Sequence, residues 1–204
     1  MRILVACEYS AVVRDAFRAR GHDAWSNDLL PTEGDADFHI QGDAFEAIGR
    51  GWDLLIAHPP CTYLTLAGNK WFNPEYAHRF PDRPAQREEA LAFVQALMGA
   101  PVERIAVENP ISVISSRIRK PDQIIQPYQF GHPDRKPTCL WLKNLPKLAL
   151  GEIVEPNIVR NRNGKTASAH HDAALRLPPE ERWKARARTY QGIANAMADQ
   201  WGSL

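Results

Sequence analysis

Cysteine is scarce in this sequence, with only Cys7, Cys61 and Cys139 among 204 residues and no CxxC pair. This spacing argues against both a disulfide framework and a zinc knuckle, and no metal site is expected. No apolar run approaches the ~18 residues that a membrane span requires. The opening segment 1–7 is too short for a signal peptide and is interpreted as a first strand. The expectation is therefore a soluble, cytoplasmic protein without a membrane segment.

The overall composition is that of an ordinary globular domain, with 44% apolar and 24% charged residues. A net charge of +1 conceals an uneven distribution. Residues 1–116 hold 10 basic and 16 acidic side chains, whereas residues 117–188 hold 15 basic and 7 acidic ones. A basic second half suits a polyanion such as nucleic acid, although an unevenly charged solvated surface would give the same pattern.

The first half of the chain alternates apolar runs with helical periodicity. The pattern predicts strands at 3–7, 22–26, 38–40, 53–57 and 104–107 and helices at 12–20 and 87–98. The segment 62–86, which carries three prolines, is predicted to be a loop. Short strands that alternate with helices indicate a parallel α/β sheet.

The second half is patterned more weakly. A hairpin is predicted within 126–148, with 139–142 as one of its strands, and a turn is predicted at 161–165. A final helix is predicted from about Pro179, because Ile193, Ala194, Met197 and Trp201 fall on one face. The simplest organisation is one domain with a basic insertion.

Functional side chains follow three of the predicted strands, in the segments 26–28, 58–61 and 108–110. Open α/β sheets bind ligands outside the carboxyl ends of their strands. A lone cysteine is usually inert and buried, but Cys61 follows a Pro-Pro bend, and amides of a turn over 62–67 would help to lower its thiol pKa. Glu108 directly follows a buried run, so its carboxylate must be paired or used.

These segments resemble the motifs of the cytosine-C5 DNA methyltransferases. DLLIAHPPCTYLTLAG (53–68) and IAVENP (105–110) are similar to that family's nucleophile and carboxylate motifs. Further similar segments follow the family's order: WSND (25–28), GD (42–43), FGHPDRKPTCLWLK (130–143) and QGIANAMADQWG (191–202). The resemblance implies an α/β fold with the Rossmann-like sheet of class I S-adenosylmethionine-dependent methyltransferases and a short basic C-terminal insertion. It also implies a single domain over 1–204, in which 149–188 is a reduced target-recognition segment.

The resemblance further implies a role for particular residues. Cys61 is the expected nucleophile, which adds to C6 of a flipped cytosine, and Glu108 is its expected catalytic partner. S-adenosylmethionine is the expected methyl donor, and its expected contacts are Glu8, Ser10, Asp28, Asp43, Pro59 and Asn195. The expected partner is double-stranded DNA that contains cytosine, bound by a monomer through Lys70, Arg79, Arg83, Arg135, Lys136, Arg160, Arg162 and Lys165.

Two departures from the family pattern bear on this interpretation. The segment 6–11 contains no glycine, although the family's first motif is rich in glycine around the methyl donor. In this segment Ser10 is expected to cap the following helix. Between the 130–143 and 191–202 motifs only about forty residues remain, which predicts short or low sequence specificity. The same chemistry on RNA or on a free cytosine nucleotide, and a catalytically silent nucleic-acid-binding module, stay open as alternatives.

Overall fold

The structure is a computed structural model that describes residues 1–160, 164 and 166–204. The strands are β1 (Arg2–Ala6), β2 (Asp23–Asp28), β3 (His39–Gln41), β4 (Leu54–Ala57), β5 (Arg104–Pro110), β6 (Gln123–Ile125), β7 (Thr138–Lys143), β8 (Ile158–Arg160) and β9 (Thr166–Ser168). The α-helices are α1 (Val12–Arg18), α2 (Ala44–Ile48), α3 (Arg83–Met98), α4 (Ile114–Arg117), α5 (Ala169–Leu175), α6 (Pro179–Ala187) and α7 (Gln191–Trp201). Short 3-10 helices span Ala36–Phe38, Leu66–Phe72, Pro74–Tyr76 and Pro127–Phe130.

Seven of these strands form one sheet in the order β3-β2-β1-β4-β5-β7-β6. Strands β1 to β5 pair in parallel, whereas β7 runs antiparallel to both of its neighbours. This Rossmann-like arrangement confirms the predicted fold class. Strands β8 and β9 pair separately, outside the main sheet.

Helices cover both faces of the sheet, which explains the continuous apolar runs of its strands. On β1, Ile3 and Val5 pack on one face in a cluster with residues of α1 and α7. Leu4 and Ala6 point to the other face and pack in a cluster with residues of α2 and α3. Since both faces are filled, the carboxyl edge of the parallel strands is left to the connecting loops, where ligands of such sheets bind.

The C-terminal helix differs from its prediction. The single helix expected from about Pro179 is two helices, α6 and α7, because Arg188 and Tyr190 are extended, with ψ values of 134° and 136°. The Tyr190 hydroxyl donates a hydrogen bond to buried Asp134, and Arg188 forms an ion pair with Glu33. These long-range contacts override the helical periodicity at the break.

Other segments also depart from the predicted boundaries. The partner of β7 in the expected hairpin is β6, which lies just before the predicted range, and β7 also pairs with β5. The segment 62–86 contains two 3-10 helices and the start of α3. Most of the predicted turn at 161–165 lies outside the described residues. Within the described part of the chain, no helix is both long and apolar enough to cross a membrane.

Candidate active site

A buried histidine and a glutamate meet where β4 and β5 end. The two strands are adjacent and parallel, with Ala57 beside Val107, so the residues that follow lie at the same edge. His58 Nδ1 and Glu108 Oε2 are 2.8 Å apart, and the two side chains are only 11% and 17% exposed. This geometry defines a charge-assisted pair at the carboxyl edge of the sheet.

The electrostatics of this pair favour its charged form. Burial disfavours the imidazolium, but the hydrogen bond and the negative charge of Glu108 outweigh it and raise the pKa of His58. Burial likewise disfavours the carboxylate, but the hydrogen bond and positive charge of His58 hold the pKa of Glu108 below its usual value. Both shifts favour the ion pair of an imidazolium and a carboxylate, in which the Nδ1 proton is directed at Oε2.

Cys61 lies in the turn that follows Pro59-Pro60, on the same side of the sheet. The Pro59 carbonyl accepts a hydrogen bond from Asn109 Nδ2 at 2.8 Å, which fastens this turn to the end of β5. Burial and the nearby Glu108 carboxylate raise the pKa of the Cys61 thiol. The expectation that turn amides lower this pKa is wrong, since the amides of Leu64 and Thr65 donate to the Cys61 carbonyl at 3.0 and 2.9 Å.

The loop after β1 forms a cradle without glycine. Cys7 and Ala11 adopt left-handed backbone conformations, with φ values of 59° and 62°, which glycine would adopt without steric cost. The Glu8 carboxylate accepts hydrogen bonds from the amides of Val13 at 2.7 Å and Arg14 at 3.2 Å. Glu8 therefore caps α1, and the expectation that Ser10 does so is wrong.

A cleft of about 310 Å³ opens beside this loop. Its lining residues are Cys7, Glu8, Tyr9, Ser10, His58, Ala187 and Thr189. The last two belong to the end of α6 and the connection that follows it. Two contacts of Tyr9 hold helix α6 against the loop after β1. The Tyr9 hydroxyl donates a hydrogen bond to the Lys184 carbonyl at 3.1 Å, and the Tyr9 ring packs against Trp183 at 5.5 Å between centroids.

Asp28 is the last residue of β2 and Asp43 follows β3, on the same edge of the sheet. Burial, together with the charges of these two aspartates, raises the pKa of the Cys7 thiol to about 12, so both carboxylates lie near the cradle. Asp28 Oδ1 accepts a hydrogen bond from the Leu30 amide at 3.0 Å. Asp43 Oδ1 caps α2 by accepting from the amides of residues 45 and 46.

A second, smaller cleft of about 240 Å³ lies on the other side of Glu108. Its lining residues are Glu108, Lys136, Thr138, Thr189, Tyr190 and Ile193. Thr189 lines both clefts. Lys136, which the sequence suggested for phosphate contact, is placed here, and its Nζ donates to the Arg186 carbonyl at 2.8 Å.

The remaining predicted residues are spread over the surface around this edge. Arg83 is half-buried and its guanidinium packs against three rings, those of Tyr63, Phe72 and Phe80. Asn195 lies on α7, where its side chain accepts a hydrogen bond from Gln191. Four basic residues are exposed: Lys70, Arg79, Arg135 and Arg160. Arg162 and Lys165 lie outside the described residues.

His58 lies within the candidate segment 58–61 that the sequence indicated, but no function was predicted for it. A titratable residue directly after a buried strand, at the edge that also carries Cys61 and Glu108, is the signal that points to it. Tyr190 and Asp134, which shape the second cleft, carried no comparable signal because their pairing depends on residues far apart in the chain. Within residues 1–160, 164 and 166–204, no group of three His, Cys, Asp or Glu side chains is arranged to hold a metal ion.

Comparison with known proteins adds one solved structure to this description. No protein-family model and no curated protein matches the chain. The chain is similar to a crystal structure from E. coli described as a candidate DNA modification methyltransferase encoded within a prophage, with a TM-score of 0.43 and 12% identity. The match covers 87% of this chain and 55% of the other, so this chain spans about half the length of that protein.

Proposed function

We propose that this protein transfers a methyl group from S-adenosylmethionine to C5 of a cytosine in DNA. The observation that carries the proposal is the placement of Cys61 and the ion-paired Glu108 at the ends of neighbouring parallel strands. A thiol and a carboxylate near one another at a ligand-binding edge suit covalent catalysis on a flat, electron-poor ring. The motif resemblance described above supports the same assignment.

The cleft beside the loop 7–11 suits a cationic nucleoside such as S-adenosylmethionine. Its lining includes Glu8, and Asp28 and Asp43 lie near the thiol of Cys7, so three carboxyl groups are within reach of this cleft. Burial raises the pKa of Glu8, and a bound cation would favour its ionised form. Asp28 and Asp43 would hold the nucleoside, Glu8 and Ser10 the amino-acid end, with Pro59 and Asn195 as further contacts. When bound, S-adenosylmethionine supplies an electrophilic methyl group.

The chain's own residues would activate the base. The Cys61 thiolate adds to C6, while Glu108 accepts a hydrogen bond from the exocyclic amine and, once N3 is protonated, from N3, where charge develops as the thiolate adds. C5 thereby becomes nucleophilic. After C5 is methylated, it loses its proton to solvent and the S–C6 bond breaks, which restores the thiolate. The base must be flipped out of the duplex, because none of these atoms is accessible in the stacked helix.

Basic side chains around the edge would bind the DNA backbone. Lys70, Arg79, Arg135 and Arg160 are exposed and free to approach phosphates. Arg83 and Lys136 are engaged within the fold, so we assign them a smaller share of phosphate binding. Because phosphate contacts position the protein and base contacts specify the sequence, the short segment 149–188 would read a short context at most.

The proposal is tested by trapping the covalent intermediate. Cys61→Ser should abolish methyl transfer while leaving S-adenosylmethionine binding nearly intact, since the thiol is the nucleophile. DNA containing 5-fluorocytosine should form a covalent adduct with the wild type, because fluorine does not leave as a proton does. Cys139→Ala, at a buried position of β7, is the matched control and should retain the adduct. Full activity of Cys61→Ser would overturn the assignment.

The alternative substrates are distinguished by an assay of methyl transfer that is run on several of them. Labelled methyl transfer to DNA, RNA and dCMP in parallel, followed by nucleoside analysis, identifies the polymer and the methylated atom. The left-handed Cys7 and Ala11 and the cover provided by α6 favour the silent binding module as a second candidate. Calorimetry with S-adenosylmethionine decides this point, because a silent module would give no binding heat.

A further inference from the structure

His58 lines the first cleft and contacts Glu108, which lines the second. Its Nδ1 faces Glu108 of β5, whereas its Nε2 is buried and has no hydrogen-bond partner among the described residues. The charged groups that face it are Glu108, Glu8 from the loop after β1, and Lys136 from the loop before β7. A proton on Nδ1 can therefore pass to Glu108 without breaking another hydrogen bond of the ring to a described residue.

We propose that His58 is a positioning residue that fixes Glu108 and supplies, through it, the proton that N3 of the target base receives. The inference deepens the proposed function and rests on it. Without His58, a buried Glu108 would be either an ionised acceptor with no proton to give or a neutral acid in an undefined orientation. With His58, the carboxylate stays ionised and oriented until the ring becomes basic.

The proton that N3 receives comes from His58 and later returns to it. When the thiolate adds to C6, negative charge moves onto the ring and N3 becomes basic. The Nδ1 proton of His58 passes to Oε2 of Glu108, which then delivers it to N3, so His58 becomes neutral and Glu108 ends as a carboxylate. When C5 has lost its proton and the S–C6 bond breaks, the N3 proton returns by the same route. Solvent, which takes the C5 proton, is the one other base that the cycle requires.

This proposal predicts a particular pH dependence. The relay works while His58 is protonated, so its contribution is complete at low pH and is lost as the pH rises through the raised pKa of His58. The Cys61 thiolate has the opposite requirement, since its raised pKa makes the thiolate scarcer at low pH. The rate should therefore pass through a maximum, with His58 responsible for the alkaline limb.

The first test measures the protonation state of His58 without any reaction. Imidazole nitrogen chemical shifts of ¹⁵N-histidine-labelled protein should show that His58 stays protonated at pH values above the ordinary pKa of histidine. The His58 signal is assigned by its loss in His58→Asn. Glu108→Gln should lower that pKa, because burial alone disfavours the imidazolium. His22→Asn, at the opposite edge of the sheet, is the control and should leave the His58 signal unchanged. A His58 pKa at or below the ordinary 6.5 in the wild type would overturn the proposal.

The second test separates a proton supply from a merely structural role. An asparagine amide keeps a donor toward Glu108 but has no proton to release. His58→Asn should slow loss of tritium from [5-³H]cytosine DNA about 100-fold, with KM nearly unchanged. Its pH–rate profile should lack the alkaline limb. His22→Asn should match the wild type in rate and in pH profile. His58→Gln, a second variant, should behave like His58→Asn if both fold as judged by circular dichroism. A wild-type rate and pH profile in the folded variants would overturn the inference, whereas a wild type inactive on cytosine would overturn the proposed function instead.

Discussion

Asp28 and Asp43 show how single residues shape the proposed nucleoside site. Both lie at the carboxyl ends of short strands, and both are near the Cys7 thiol. Each carboxylate also accepts backbone amides of its own turn, which fixes its orientation. We expect Asp28→Ala to weaken S-adenosylmethionine binding by roughly 1–3 kcal/mol, the range for a lost charge-assisted hydrogen bond, as measured by calorimetry. Asp43→Ala should have a similar effect.

The matched control for this prediction lies at the other end of the same strand. Asp23 begins β2 and contacts the Trp25 ring nitrogen at 2.8 Å, at the amino edge of the sheet. Asp23→Ala should leave the affinity unchanged. Unchanged affinity in both Asp28→Ala and Asp43→Ala would place the nucleoside elsewhere or remove it from the protein.

At the residue scale, the sequence indicated which side chains share the edge but not how they are paired. Cys61 and Glu108 could be predicted to lie at strand ends, because a buried apolar run that is followed by a functional side chain can be recognised from the sequence alone. The partner of Glu108 was not predicted, since His58 is 50 positions away. The hydrogen bonds of Glu8 to the amides of α1 were also not predicted. A carboxylate four positions before a helix is equally consistent with a ligand contact.

Helix α7 contains a glycine that its packing requires. A Cβ on Gly192 would lie 1.9 Å from the carbonyl oxygen of Phe130, and the Gly192 amide donates to His132 Nε2 at 2.8 Å. Gly192→Ala should therefore cost about 3 kcal/mol of unfolding free energy, at the upper end for overpacking, and lower Tm by about 5–10 °C in a thermal melt.

A glycine with room for a methyl group provides the comparison. A Cβ on Gly49 would meet its nearest neighbour at 3.6 Å, and its φ of −62° suits any residue. Gly49→Ala should leave Tm unchanged or raise it slightly. Equal melting temperatures for the two variants would show that α7 shifts away from Phe130 at little cost.

At the element scale, prediction succeeded where burial on both faces leaves a continuous apolar run, as in β1, β4 and β5. It failed for α2, whose five residues are too few for a helical period to be detected. It also failed at the break between α6 and α7. There the extended backbone depends on the contacts of Arg188 and Tyr190 with distant residues.

Across the whole molecule, the charge distribution separates an acidic first half from a basic second half. The triple replacement of Arg160, Arg162 and Lys165 by Ala should weaken DNA binding and flatten the dependence of log K on log salt by up to about three units. S-adenosylmethionine affinity should stay unchanged, because the proposed donor contacts lie at the cleft beside the loop 7–11 and include none of these three residues. Fluorescence anisotropy over a salt series measures both affinity and slope.

Removal of charge at the amino edge of the sheet serves as the control for the triple variant. Arg50 and Lys147 are exposed and lie near the starts of strands rather than at their carboxyl ends. Replacing both by Ala should change the salt slope little. A triple variant that binds DNA as tightly as the wild type would remove the segment 160–165 from the interface.

The position of Thr189 has a consequence for binding. Because this residue lines both clefts, and Tyr9 and Trp183 fasten the helix just before it, a change in the occupancy of one cleft alters the wall of the other. Two sites that share a wall do not fill independently. Under the proposed function, bound methyl donor would therefore change the affinity for nucleic acid, and bound nucleic acid would change the affinity for the donor by the same factor.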